Sequence, residues 1–205
     1  MLICINPDNP QPRLVAQVVD VLEKGGVIAY PTDTTYGIGC NIFSKKGIEK
    51  IYQIKQREVK KPFSFICPDQ SEVARYAKVS NYAFKLMKRL LPGPYTFVLE
   101  ANSIVPDLLQ TRQKTVGIRI PDNRICLALV SLLGHPIVTT SANISGEEPF
   151  GDPRELYSKM GKQLDLVVDG GILPADVSSV VSLLNDVPEL LRKGVGDVSW
   201  CVAQG

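Results

Sequence analysis

Thr139-Thr140-Ser141-Ala142-Asn143-Ile144-Ser145-Gly146, entered from the apolar run Pro136-Ile137-Val138, decides how the chain is read. Five small hydrogen-bonding side chains fall among eight residues, and a glycine closes the stretch. A β-branched apolar run that ends in hydroxyls and an amide reads as a buried strand leaving its sheet. That is where open α/β folds place ligands. The same composition also suits a Ser/Asn turn that satisfies its own backbone, and by frequency the turn is the commoner case. The rest of the chain must decide between them.

Outward from this octet, apolar strands alternate with amphipathic helices. Leu14, Val15, Val18, Val19 and Leu22 recur at helical spacing after Asn9-Pro10, and Gly25-Gly26 stops them. Val27 to Tyr30 reads as a buried strand that exits into Pro31-Thr32-Asp33-Thr34-Thr35-Tyr36-Gly37. Ser44 is expected to cap a helix ending near Lys55-Gln56-Arg57, and Ser71 and Ser80 to cap two more. Phe63–Cys67, Tyr95–Leu99 and Thr115–Pro121 read as strands; Asp122 is expected to cap a helix ending at Gly134, and Asp152-Pro153 to open a short one. Asp165–Asp169, Ser179–Leu183 and Glu189–Arg192 follow as strands without intervening helices, which argues for a mixed sheet. The expectation is one α/β domain over 1–205, a twisted mixed parallel and antiparallel sheet flanked by helices.

Composition narrows the chemistry. With 205 residues, 44% hydrophobic and 21% charged, the chain can bury a core without staples. No segment approaches the ~20 apolar residues of a membrane span, and no basic-then-apolar leader is seen, so a cytoplasmic protein with no membrane partner is expected. Five scattered cysteines without C-x-x-C fit reduced thiols and give no reason to expect a zinc site. His135, the single histidine, precedes a proline and reads as structural; no His-based triad or H-E-x-x-H site can be built. Neither a P-loop nor G-x-G-x-x-G is present. Net charge is +2, but Lys45 to Lys61 alone carries +5 and leaves −3 elsewhere. Such a window is either a solvated helix face or a surface for phosphates.

What recurs is a kind of strand end. Thr32-Asp33-Thr34, Lys55-Gln56-Arg57, Thr115 with Arg119, Thr139–Asn143, Ser178-Ser179 and Arg192 each set hydroxyls or cations beside an apolar run. Cations with hydroxyl donors suit phosphate and carboxylate oxygens and act by positioning and charge neutralisation. Arg119 stands out because an arginine between Ile118 and Ile120 needs a buried or cleft partner. Lys55, by contrast, also fits a solvated helix end that complements the dipole.

Lys55-x-Arg57 with Ser141-x-Asn143, Pro31-Thr-Asp-Thr-Thr-Tyr-Gly37, Pro92-Gly-Pro-Tyr-Thr96 and Gly117-Ile-Arg-Ile-Pro121 together resemble the threonylcarbamoyl-AMP synthase family, the YrdC/YciO-like proteins. The resemblance runs from about residue 10 to about 197, and the opening Asn6-Pro-Asp-Asn-Pro10 looks like the YciO-type branch. It implies a YrdC-like fold with a positively charged concave cavity. It also implies condensation of L-threonine, bicarbonate and ATP to threonylcarbamoyl-AMP and pyrophosphate. That adenylate supplies the threonylcarbamoyl group of a modified tRNA adenosine, so downstream threonylcarbamoyl-transfer proteins are implied partners.

By position, the resemblance assigns Thr34, Arg119, Thr139 and Ser178 to threonine and its carbamoyl group. It assigns Arg57, Lys61, Thr115, Ser141 and Arg192 to ATP. Lys55, Arg57, Ser141 and Asn143 form the signature catalytic set. Mg²⁺ is expected with ATP; its protein ligands are unassigned, with Asp33 a candidate. Lys61 stands where longer relatives carry asparagine, Ile66 where they carry histidine, and Ser178-Ser179-Val180-Val181-Ser182 replaces a Ser-Thr-Val-Val-Asp pattern. The alternatives are a YciO-type protein that binds double-stranded RNA or tRNA, motivated by the basic window, and a relative that processes adenylates without making them.

Overall fold

Along the chain, the computed structural model places β1 (Leu2–Cys4), α1 (Pro12–Glu23), β2 (Ile28–Pro31), β3 (Tyr36–Asn41), α2 (Lys45–Lys55), β4 (Ser64–Ile66), α3 (Gln70–Tyr76) and α4 (Asn81–Leu90). Then come β5 (Tyr95–Glu100), β6 (Thr115–Arg119), α5 (Arg124–Leu133), β7 (Ile137–Ser141), α6 (Pro153–Met160), β8 (Leu166–Asp169), β9 (Ser179–Ser182) and β10 (Glu189–Arg192). The structure describes residues 1–56, 63–109, 113–144 and 146–201. The strands join in one sheet of order β1-β8-β2-β3-β7-β4-β6-β5-β9-β10. Parallel pairs (β1/β8, β2/β8, β4/β6, β5/β9) mix with antiparallel ones (β2/β3, β3/β7, β4/β7, β5/β6, β9/β10).

Because side chains alternate across a pleated strand, each strand's sequence shows what covers each face. Ala29, Ile38, Phe65, Phe97, Val116, Ile118 and Val138 point to one face, where Ile48 and Ile51 of α2, Val73 of α3, Met87 of α4 and Leu156 of α6 close a core. Their alternates Ile28, Tyr30, Ile66 and Ile137 point to the other face and meet Val18 and Leu22 of α1 and Ile125 and Leu129 of α5. This second layer covers only part of its face. On the same side, Ser64, Thr96, Gly117, Arg119, Thr139 and Ser141 line a cavity instead. The half-covered face positions the site.

Several caps fall where their residue types lead one to expect them. Ser44 accepts from Gly47 N, Ser80 from Ala83 N and Asp152 from Arg154 N, each satisfying an amide that the first helical turn leaves open. Two differ. Asp69, not Ser71, caps α3, because a carboxylate two residues earlier takes both Ser71 N and Glu72 N. Asn123, not Asp122, caps α5 through Cys126 N, while the backbone amide of Asp122 donates to Asp33.

The strand β3 is not among those expected from the sequence. Gly37 and Gly39 give it a turn-like composition, yet it pairs on both sides, with Ile38 opposite Ala29 and Thr140. A Cβ at Gly39 would lie 2.6 Å from both Ile137 Cγ2 and the Val138 carbonyl oxygen, and 2.9 Å from Tyr30 Cε1. That bare strip lets the Tyr30 ring cross β3 and donate its hydroxyl to Thr139 Oγ1 on β7 at 2.6 Å. Gly39→Ala is therefore expected to cost about 2 kcal/mol in urea unfolding, the usual range for overpacking against backbone. A change below about 0.5 kcal/mol would show that the strip is not needed.

Candidate functional site

The uncovered part of the face opens as a cavity of about 430 Å³, within the range of small-molecule sites. One wall is built from the β2–β3 connection and the end of β6. Arg119, 9% exposed, donates from Nη2 to Asp33 Oδ1 at 2.6 Å and to Thr34 Oγ1 at 3.2 Å. Thr34 is held in turn by Thr32, whose hydroxyl donates to Thr35 O at 2.6 Å. Asp33 is sealed from behind by the Asp122 amide at 3.2 Å. The buried Arg119 Nε has no hydrogen-bond partner.

A second wall joins the C-terminus of α2 to the end of β7. Gln56 adopts a left-handed conformation (φ 47°) that stops α2 at Lys55. Lys55 is only 3% exposed, and its ammonium donates to Ser141 O at 2.8 Å, Asn143 O at 2.6 Å and Asn143 Oδ1 at 2.5 Å. Ser141 Oγ donates to the same Asn143 Oδ1 at 2.6 Å, and Asn143 Nδ2 donates to Glu147 O at 2.5 Å. Thr139 to Ser141 is thus strand, and the segment through Asn143 that follows is fastened to a buried ammonium.

The third wall comes from the approach to β9 and the end of β10. Arg192 donates to Ser178 O from Nη2 at 2.9 Å and to Ser178 Oγ at 3.2 Å, and Ser178 Oγ pairs with Thr96 Oγ1 at 2.9 Å. The residue is exposed overall, while its guanidinium is held against Ser178. Desolvation there and the positive field of Arg119 pull its pKa below the ordinary arginine value. Among the described ion pairs Arg192 has no carboxylate partner.

The floor is made of small groups: Gly37, Ser64, Gly117 and Thr139. A Cβ at Gly117 would stand 2.8 Å from Ser64 Oγ, so larger residues there would fill the cavity. Burial pushes the Tyr30 phenol well above its usual pKa, which keeps it a proton donor to Thr139.

Thr34, Lys55, Thr115, Arg119, Thr139, Ser141, Asn143, Ser178 and Arg192 all line this one cavity. Arg57 and Lys61 lie outside the described residues. Among the described residues of the basic window, Lys45 and Lys46 are exposed, Lys50 pairs with Asp165 at 2.7 Å, and Lys55 points inward. No site role was expected of Tyr30, or of Thr96 at the end of the Pro92–Thr96 motif, although Thr96 alternates with core residues in β5 and that phase places it on the cavity face. Asp33 does not fit the role of Mg²⁺ ligand, since one oxygen meets Arg119 and the other accepts the Asp122 amide. No cluster of three or more His, Cys, Asp or Glu side chains suited to a metal occurs among the described residues. No described helix is long and apolar enough to cross a membrane. The five cysteines are free thiols, and burial raises Cys40 to about 12.

Comparison with known proteins agrees with this fold. The Sua5/YciO/YrdC family model, described as "Telomere recombination", matches residues 20–194. The chain is 45% identical over 196 residues to an uncharacterised protein, YciO, of Escherichia coli K12, covering 95% of each. The crystal structure of E. coli YciO superposes with a TM-score of 0.93 at 43% identity, covering 97% of this chain and 98% of that one. A threonylcarbamoyl-AMP synthase of Vibrio vulnificus is 31% identical over 159 residues, spanning 76% of this chain and 86% of its own. P. abyssi Sua5 crystallised with L-threonine matches with a TM-score of 0.89 at 28% identity, over 95% of this chain and 57% of the longer protein. With a matching fold over nearly its whole length, the chain belongs to the Sua5/YciO/YrdC family.

Proposed function

We propose that the protein condenses L-threonine, bicarbonate and ATP into threonylcarbamoyl-AMP, releasing pyrophosphate, as a step toward threonylcarbamoyl modification of tRNA. The observation that carries this reading is the pair of guanidinium groups on one hydroxyl-lined cavity. Arg119 keeps a buried Nε without a partner, and Arg192 is anchored by neutral acceptors only. A cavity so equipped favours a ligand that carries both carboxylate and phosphate oxygens.

In this scheme the threonine carboxylate meets Arg119 beside Thr34. Its amine adds to the carbon of bicarbonate with loss of water, giving a carbamate. A carbamate oxygen then attacks the α-phosphorus of ATP, the α–β bridging bond breaks, and pyrophosphate leaves with that electron pair. No histidine lines the cavity among the described residues, and the protein contributes placement and positive potential rather than proton transfer. Arg192, Thr115 and Ser141 fall to the nucleotide, with Arg57 and Lys61 as further candidates.

The test is pyrophosphate release from purified protein with ATP, threonine and bicarbonate. Release is expected only when all three are present, with the adenylate detected by mass spectrometry. Release indifferent to threonine would remove the synthase assignment and leave an adenylate-processing or RNA-binding relative. In the RNA case, retention would weaken steeply with salt.

A further inference from the structure

Lys55 is a donor without acceptor capacity, and a carboxamide oxygen is an acceptor without a proton. At 2.5 Å from Lys55 Nζ, the group on Asn143 must therefore be the oxygen; the flipped amide would set N–H against N–H. The reversed orientation is also excluded at the other end, where Asn143 Nδ2 meets the Glu147 carbonyl at 2.5 Å. With Oδ1 settled, the 2.6 Å contact from Ser141 Oγ has one polarity: the serine donates and the amide accepts. The Ser141 proton is spent inside the protein, and only its lone pairs face the cavity.

Two residues earlier on the same strand face, the polarity is reversed. Thr139 Oγ1 accepts from the Tyr30 phenol at 2.6 Å, so its own proton remains to be given. The floor of the cavity thus offers a donor at Thr139 and an acceptor at Ser141.

We infer that Lys55 and Asn143 are positioning residues that set Ser141 as a hydrogen-bond acceptor, so that this edge of the cavity takes a hydroxyl or N–H of the ligand and not a phosphate oxygen. The anionic part of the ligand goes to the guanidinium walls. This rests on the cavity binding the substrates named above, and it deepens that reading by dividing the cavity. A phosphate oxygen against the Ser141 lone pairs would face acceptor against acceptor, whereas a ribose hydroxyl, the threonine hydroxyl or an adenine amine would donate. Lys55 donates to Ser141 O and to both oxygens of Asn143, so it acts on Ser141 through Asn143.

The test is calorimetric binding on the full chain with three probes: ATP and L-threonine, which carry several donors, and inorganic pyrophosphate, whose oxygens act almost only as acceptors. Ser141→Ala is a small change that leaves the Lys55–Asn143 contact in place. It is expected to weaken ATP or threonine about threefold to tenfold, the loss of one neutral hydrogen bond, and to leave pyrophosphate within about twofold. Asn143→Ala releases the serine proton toward the cavity. It is expected to weaken the same donor-bearing ligand while pyrophosphate holds or tightens; a merely structural role would weaken every probe together. Pyrophosphate losing affinity in Ser141→Ala as much as ATP does, or no donor-bearing probe responding, would overturn the inference. Should Asn143→Ala not fold, the Ser141→Ala probe pattern decides alone. These outcomes are separate from the synthase assignment, which stands or falls on threonine-dependent pyrophosphate release.

Discussion

Lys55→Met will lower the unfolding free energy by about 3 kcal/mol and the rate of adenylate formation by about a hundredfold. The substitution keeps the aliphatic stem and removes the ammonium, leaving Ser141 O, Asn143 O and Asn143 Oδ1 without the donor they converge on. Hydrogen bonds to a charged group contribute about 1.5–3 kcal/mol each, and relief from burying a charge offsets part of the sum. At about 2–4 °C per kcal/mol for a protein of this size, the melting midpoint should fall by roughly 10 °C. Lys55→Arg is not expected to rescue it, because a planar fork cannot reach three acceptors clustered around one nitrogen. A Lys55→Met protein that melts with the unaltered chain would show that the ammonium does not hold Ser141 and Asn143 in place.

Arg119→Met gives the second large effect, and its two parts can be separated. Removing the guanidinium leaves the Asp33 carboxylate, only 8% exposed, without its partner at 2.6 Å. Breaking one side of a buried pair costs about 3 kcal/mol. It also removes a guanidinium from the cavity lining, so threonine binding should fall about a hundredfold, in line with the loss of a charge-assisted contact. Asp33→Asn added to Arg119→Met removes the orphaned charge. The double variant should regain about 1–2 kcal/mol of stability and none of the binding. Recovery of both together would mean that Arg119 matters to the cavity only as a structural tie.

The two residues differ in how far their roles could be read from sequence. Arg119 sits in an alternating strand between isoleucines, and the phase of Val116, Ile118 and Ile120 puts it opposite the core. Its burial, and its need for a partner, were legible. Lys55 was not. A lysine in the last turn of a helix ordinarily faces water and complements the dipole, and its acceptors come from a strand end 86 and 88 residues further on. Likewise the Gly37-Ile38-Gly39 run has the composition of a turn. Only the neighbouring Tyr30 and Ile137, packed against the missing Cβ, show that it is a strand kept bare.

The sequence by itself determined the α/β class, the mixed sheet, most helix caps and the inventory of groups: hydroxyls, an amide and cations at strand ends, with one histidine that takes no part in the cavity. Local pattern suffices there because periodicity and capping depend on residues within a few positions of each other. The tertiary structure decided which face of the sheet stays uncovered, that Thr139 through Asn143 is both strand end and fastened loop, and which way each hydroxyl points. A side chain's chemistry states what it can donate or accept. Direction is set by the partner brought against it, and for Ser141 that partner is an amide oriented by a lysine from another element.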